Sequence, residues 1–235
     1  MPDDAVPLQL ATLESLAAAR NYNSWICDLT LPYLGSSPLE IGSGLGDLAA
    51  LWLEAGLAQV VVSEPTDEGV DVLRRRFADD PRVSARRVAV PGVNESAPPA
   101  TGVAMVNVLE HIEDDVGALA AARQLVDPGG AVVVFTPAHP FAMSAFDRAI
   151  GHWRRYTLGS LGDAYTRAGL QIEQIRHINA VGLVAWVVMM KLLRRTPTDT
   201  RAVRFYDRLV VPGVRACERR VTPPFGQSLL AVGRA

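Results

Sequence analysis

The chain has 235 residues, 49% of them hydrophobic and 20% charged, with a formal net charge of −2. That length supplies one sizeable α/β core with room for a lid, and excludes two full domains of that kind. The acidic balance lacks the basic excess of a nucleic-acid footprint, and two cysteines, Cys27 and Cys217, make neither a metal pattern nor a disulfide framework.

The start, Met1-Pro2-Asp3-Asp4, carries no apolar signal segment, so the cytoplasm is the expected compartment. Apolar spacing of three and four predicts a helix over 8–20. Asn21-Tyr22-Asn23-Ser24 should interrupt it, before a second helical segment over 25–34 that breaks at Pro32. A first strand over 39–42 runs into Gly42-Ser43-Gly44-Leu45-Gly46-Asp47, which opens a helix over 47–56. Glycine suits such a tight turn because it tolerates positive φ and lets a ligand lie against the backbone. The helix start adds unpaired N–H groups. A second strand over 59–64 ends at Glu64, a carboxylate placed to accept both hydroxyls of a ribose. A nucleoside-containing cofactor is therefore expected. The dinucleotide fingerprint needs glycine where Asp47 stands, which disfavours a nicotinamide oxidoreductase.

Further on, 67–77 reads as a helix with Val70, Leu73 and Phe77 on one face. Strands follow over 83–90 and 103–108. Asp114 or Asp115 can cap a helix over 116–126, which stops at Asp127-Pro128-Gly129-Gly130 before a fifth strand over 131–136. A helix over 158–168 leads to a sixth strand over 170–177. The uncharged run 178–190 is too short to span a bilayer and reads as a buried or interface helix. Arg194, Arg195, Arg201 and Arg204 flank it, which leaves peripheral membrane contact open.

Glu40-x-Gly42-x-Gly44-x-Gly46, Glu64, and the pairing of Asn107-Val108-Leu109-Glu110-His111-Ile112-Glu113-Asp114-Asp115 with the Pro128 to Pro137 segment resemble the class I S-adenosylmethionine-dependent methyltransferases, in their small-molecule branch. The resemblance spans roughly residues 22–180. It implies an α/β, Rossmann-like doubly wound sheet of about seven strands, the last of them antiparallel and lying over 228–235. Around it come a helical cap over 1–36, a cofactor-binding core over 37–178 and an insertion or lid over 179–227. It implies S-adenosyl-L-methionine as cofactor and S-adenosyl-L-homocysteine as product, held by Glu40, Gly42, Ser43, Gly44, Gly46 and Glu64. Pro65 and Thr66 would lie at the adenine edge, and Asn107, Val108 and Leu109 beside the transferred methyl group. An acidic residue often follows the third strand in this family; here Asn94, Glu95 or a backbone carbonyl would take its place. Tyr22 and Trp25 either line the cap, as the resemblance implies, or belong to a surface helix pair with Trp25 in the core.

The segment after the fifth strand gathers His139, Phe146, Asp147, His152, Trp153, Arg154, Arg155 and Tyr156. Loops at the carboxyl ends of strands are where an open α/β sheet binds ligands. His139, His152, Trp153, Arg154, Arg155 and Tyr156 are thus expected at a substrate pocket; the alternative is that Arg154 and Arg155 pair with Asp147 or cap a helix. A hydroxyl acceptor would use a neutral histidine as general base. His111, His139 and His152 are the candidates, with packing as the competing role for His111 and a strand position for His177. No metal is expected. The expected activity is methylation of a small molecule, most often at oxygen. N- or C-transfer, or a non-catalytic cofactor-binding regulator, are the alternatives. No nucleic-acid partner and no integral membrane segment are expected, and a homodimer is left open.

Overall fold

The computed structural model describes residues 19–92, 99–192 and 200–235. The expected helix over 8–20 lies outside them except for its last two residues, as do Asn94, Glu95, Arg194 and Arg195.

Helix α1 (Arg20–Thr30) runs straight through Asn21 to Ser24, where the sequence predicted an interruption. The cause is a cap from far away. The backbone N–H groups of Asn21 and Tyr22 donate to the carboxylate of Asp207, at 3.1 and 2.9 Å, so the first turn needs no cap of its own. The expected break at Pro32 appears as a 3₁₀ turn, Leu31–Tyr33. Then come β1 (Leu39–Ile41), α2 (Asp47–Glu54), β2 (Val60–Glu64), α3 (Asp67–Arg76), β3 (Val83–Arg87) and β4 (Ala100–Val106). After them follow α4 (Asp115–Gln124), β5 (Val126–Pro137), α5 (Ala145–Ala149), α6 (Leu158–Arg167) and β6 (Gln171–Ile178). Next come α7 (Ala180–Trp186), continued by a π-helical stretch (Val187–Leu192), α8 (Thr200–Leu209) and α9 (Val211–Glu218), before β7 (Ser228–Arg234).

Boundaries shift where local composition misleads. Asp127-Pro128-Gly129-Gly130, expected to separate helix from strand, lies within β5 as a bulge. Ala100 pairs with Val126 and Gly102 with Ala131, so the extra residues loop out of the ladder. Asp114, not Asp115, caps α4, accepting from the Gly117 N–H at 2.9 Å. Of α7 only Gly182 and Leu183 are buried, while Val181 and Val184 are exposed, so the uncharged run is half covered. Among the described residues no helix is long and apolar enough to cross a membrane.

The strands form one sheet in the order β3-β2-β1-β4-β5-β7-β6. Neighbours from β3 to β5 are parallel, and β7 is antiparallel to both β5 and β6. Because strand side chains alternate, each face buries its own core. Leu39, Met105, Val134, Leu229 and Ala231 meet α4 and α6 on one side. Val62, Val133, Phe135, Leu230 and Val232 meet α1, α2 with its Trp52, and α9 on the other. The carboxyl ends of β1, β2 and β4 then open together at one edge of the sheet, where the site lies.

Candidate active site

The turn after β1 places Gly42, Gly44 and Gly46 all at positive φ, 70°, 57° and 83°. Two of the three also make room for their own chain. A Cβ on Gly42 would fall 2.6 Å from a Val108 methyl, and one on Gly46 2.6 Å from the Phe77 ring. Ser43 staples the turn to β2: its N–H donates to the Ser63 carbonyl at 2.8 Å, and its Oγ accepts from the Ser63 N–H at 3.0 Å. Beneath it Glu40 is 3% exposed. Burial pushes its carboxyl up to about 8; Ser43 opposes this, while Glu64 and Asp47 add to it. Glu64 accepts a hydrogen bond from the Gly44 N–H at its Oε1. Burial raises its pKa against that bond. Gly69 in α3 comes so close that a Cβ there would meet the Glu64 Cβ at 2.8 Å. Pro65 borders the cleft, whereas Thr66 caps α3 by accepting from the Gly69 N–H.

From this turn a single cleft of about 1060 Å³ runs past Val88, Asn107 and Val108 to Glu110, His111 and His152. That is the size of the larger known ligand pockets. Leu109 is fully buried behind it. Tyr22, Phe146, Trp153, Trp186 and Ser228 complete the walls. Trp25, 3% exposed, lies in the core edge-on to Tyr22.

The polar end is assembled from two segments. Glu110 and His111 sit on a 3₁₀ turn after β4, and the loop after α5 brings His152 over them; the Trp153 N–H donates to the Glu110 carbonyl at 2.8 Å. Glu110 has no exposed surface. Its Oε2 accepts from Thr136 Oγ1 at 3.0 Å, while Oε1 is buried with no hydrogen-bond partner among the described residues. Burial raises its pKa, and His152 and Arg155 oppose that. His111 meets the His152 ring edge to face at 4.5 Å. Burial, then the neighbouring His152, lowers the His111 pKa to about 4, against a hydrogen bond to the Gly151 carbonyl.

Asp147 is the buried anchor of this loop. It closes a capping box with Ser144 and receives Arg155 Nη2 at 2.7 Å and Nε at 3.1 Å. His152 Nδ1 lies 3.1 Å from the same Oδ1, although the ring is not turned for an aligned hydrogen bond. Burial pushes the Asp147 carboxyl up, yet His152, Arg155 and Ser144 together hold it well below the usual carboxylate range. Arg155 in turn lies 4.6 Å from the centre of the Trp186 ring.

The other pocket candidates go elsewhere. Arg154 pairs with Asp115 at 2.8 Å, and the Tyr156 hydroxyl donates to the same carboxylate at 2.9 Å. The His139 ring stacks on His177 at 5.0 Å and is not part of the cleft wall. Sequence reasoning did not single out Glu110, Gly69, Gln227 or Ser228. Only Glu110 left a signal, as the residue between Leu109 and His111.

Residues 39–132 match a methyltransferase domain family. An uncharacterized 37.1 kDa protein in transposon TN4556 of Streptomyces fradiae is 31% identical over 142 residues, 57% of this chain; the chain spans only 41% of that relative's length. The CcbJ methyltransferase of Streptomyces caelestis superposes with a TM-score of 0.57 at 15% identity, covering 91% of this chain and 89% of that one. An O-methyltransferase from neocarzinostatin biosynthesis, in complex with S-adenosylmethionine and 2-hydroxy-5-methyl naphthoic acid, gives a TM-score of 0.53 at 21% identity, over 60% of this chain and 45% of that chain. Over residues 39–132 the chain is thus similar to methyltransferase domains, and its fold is the one these solved methyltransferases share.

Proposed function

We propose that the chain transfers a methyl group from S-adenosylmethionine to an oxygen of a small-molecule acceptor. One observation carries this reading: a single cleft joins the Gly42, Gly44 and Glu64 end to the Glu110, His111 and His152 end. The first end fits an adenosyl ligand. Glu64 brings a carboxylate to the cleft at the carboxyl end of β2, where a ribose diol can donate to it. Val88 and Val90 offer an apolar wall for a base. S-adenosylmethionine supplies the methyl as a sulfonium, whose carbon–sulfur bond breaks as the acceptor's lone pair attacks in line.

The chain's own contribution is positional. Asn107 and Val108 sit where the two ends meet. Tyr22, Phe146 and Trp186 give a largely apolar enclosure that excludes water and suits a flat acceptor. His111 and His152 face the acceptor oxygen. Arg155 holds Asp147 and the Trp186 face in place, while Arg154, Tyr156 and His139 support the loop without touching the acceptor. The insertion, 179–227, acts as a lid on the core, 37–178, through Trp186, Val203 and Gln227. A cleft walled largely by apolar side chains, on a chain of net charge −2, favours a small acceptor over a nucleic acid.

Calorimetry should detect S-adenosylhomocysteine and negligible NAD. Labelled methyl should then pass to a panel of hydroxylated aromatic acids, with NMR placing it on oxygen. Tight NAD binding without a response to S-adenosylhomocysteine overturns the cofactor; methyl found on nitrogen or carbon overturns the oxygen acceptor.

A further inference from the structure

We propose that Glu110, His111 and His152 form a site for a divalent transition-metal cation that binds the acceptor oxygen. The proposal rests on the methyltransferase reading for its function, though not for the binding itself. Each of the three residues offers one ligand atom, and those atoms all lie within 4.8 Å of one another. Two imidazoles and one carboxylate on an open cleft are a donor set that suits first-row divalent metals and leaves coordination positions free.

Two further observations separate this cluster from a chance meeting of polar groups. First, Glu110 has no exposed surface, and its Oε1 is without a hydrogen-bond partner among the described residues. A buried carboxylate oxygen left unpaired costs free energy that a cation would recover. Secondly, each histidine ring has beside it a polar group of the kind that metal-binding histidines use as an outer partner. The His111 ring bonds to the Gly151 carbonyl, and Asp147 lies 3.1 Å from His152 Nδ1, itself fixed by Ser144 and Arg155. A metal centre with bonds of roughly 2.0–2.2 Å would draw these atoms together from separations of at most 4.8 Å.

All three residues line the acceptor end of the cleft. Three protein ligands leave a cation room for two oxygens of one molecule. The acceptor class that fits is therefore a chelating one, a hydroxyl beside a second hydroxyl, a carbonyl or a carboxylate. On binding, the acceptor O–H releases its proton to solvent. The oxygen's electron pair then forms the new O–CH₃ bond, and the pair of the broken C–S bond stays on sulfur. The products are the methyl ether, S-adenosylhomocysteine and one proton.

The test is a titration of the chelator-stripped full chain with Co²⁺, read by visible absorption, alongside calorimetry with S-adenosylhomocysteine. We expect one equivalent of Co²⁺ bound, displaceable by Zn²⁺, and at least about a tenfold loss of affinity in both Glu110→Gln and His152→Asn. His177→Asn, outside the cluster, should bind Co²⁺ as the wild type does, and all variants should keep S-adenosylhomocysteine binding. A wild-type chain that binds S-adenosylhomocysteine but no Co²⁺ at a large molar excess overturns the cation and leaves the cofactor reading standing. Binding that persists unchanged in both cluster variants overturns it equally. Co²⁺ bound by a chain that ignores S-adenosylhomocysteine would uphold the site and overturn the methyltransferase reading.

Discussion

Glu64 does two things at once: its carboxylate holds the Gly44 N–H and faces the cleft. Hydrogen bonds to a charged group are worth about 1.5–3 kcal/mol, so Glu64→Ala should weaken S-adenosylhomocysteine binding by one to two orders of magnitude in calorimetry. Glu40 gives a different signature. Its folded pKa of about 8 lies above that of an unfolded glutamate, so the native chain keeps a proton that the unfolded chain releases. That stabilisation is complete below the unfolded value, shrinks as pH rises and is lost above the folded one, with a slope of at most about 1.4 kcal/mol per pH unit. Glu40→Gln should remove the slope, so thermal melts should favour the variant increasingly from pH 5 to pH 8. The glycine turn and Glu64 were legible in the sequence because one short strand, one turn and the next strand carry them. The polar end was not. Arg154, Arg155 and Tyr156 are neighbours in an extended segment, where alternate side chains face opposite ways. Arg154 and Tyr156 therefore reach Asp115 together while Arg155 turns in to Asp147. Periodicity alone could not say which side faced the cleft.

At the scale of elements, α8 and α9 carry carboxylates that cap helices distant in sequence. Asp207 of α8 caps α1, and Glu218 of α9 accepts from the Asn179 and Ala180 N–H groups, at 3.0 and 2.9 Å, at the start of α7. Asn21 to Ser24 look like a helix break because asparagine and serine favour caps and turns, and no local feature announces a cap supplied by residue 207. Since α1 carries Tyr22 into the cleft wall, Asp207→Ala should cost about 0.5–2 kcal/mol of stability and also weaken ligand binding. Denaturant melts with and without S-adenosylhomocysteine would separate the two effects: an equal loss in both would leave Tyr22 without a part in binding.

For the whole molecule, the alternation of strand and helix up to β5 was readable from hydrophobic runs and turn residues, whereas the return of a last strand after a long excursion came from the family resemblance. The order of the final strands was a matter of topology. β7 lies between β5 and β6, so it supplies the inner partner for both. Its Leu229, Leu230, Ala231 and Val232 are fully buried, two to each face of the sheet. Ser228 also meets Tyr22 at the cleft, its Oγ 3.4 Å from the phenol oxygen.

The position of β7 has a cost during synthesis. β5 leaves the ribosome with an apolar edge whose partner is made only after β6 and the whole of 179–227. Through that interval the nascent sheet presents an unpaired strand of valines, the kind of edge that recruits other chains. A chain halted before Ser228 should therefore accumulate in aggregates on expression, and supplying 228–235 in trans as a peptide should return part of it to the supernatant. A truncated chain that stays monomeric by light scattering would mean that another part of the molecule shields β5 until its partner arrives.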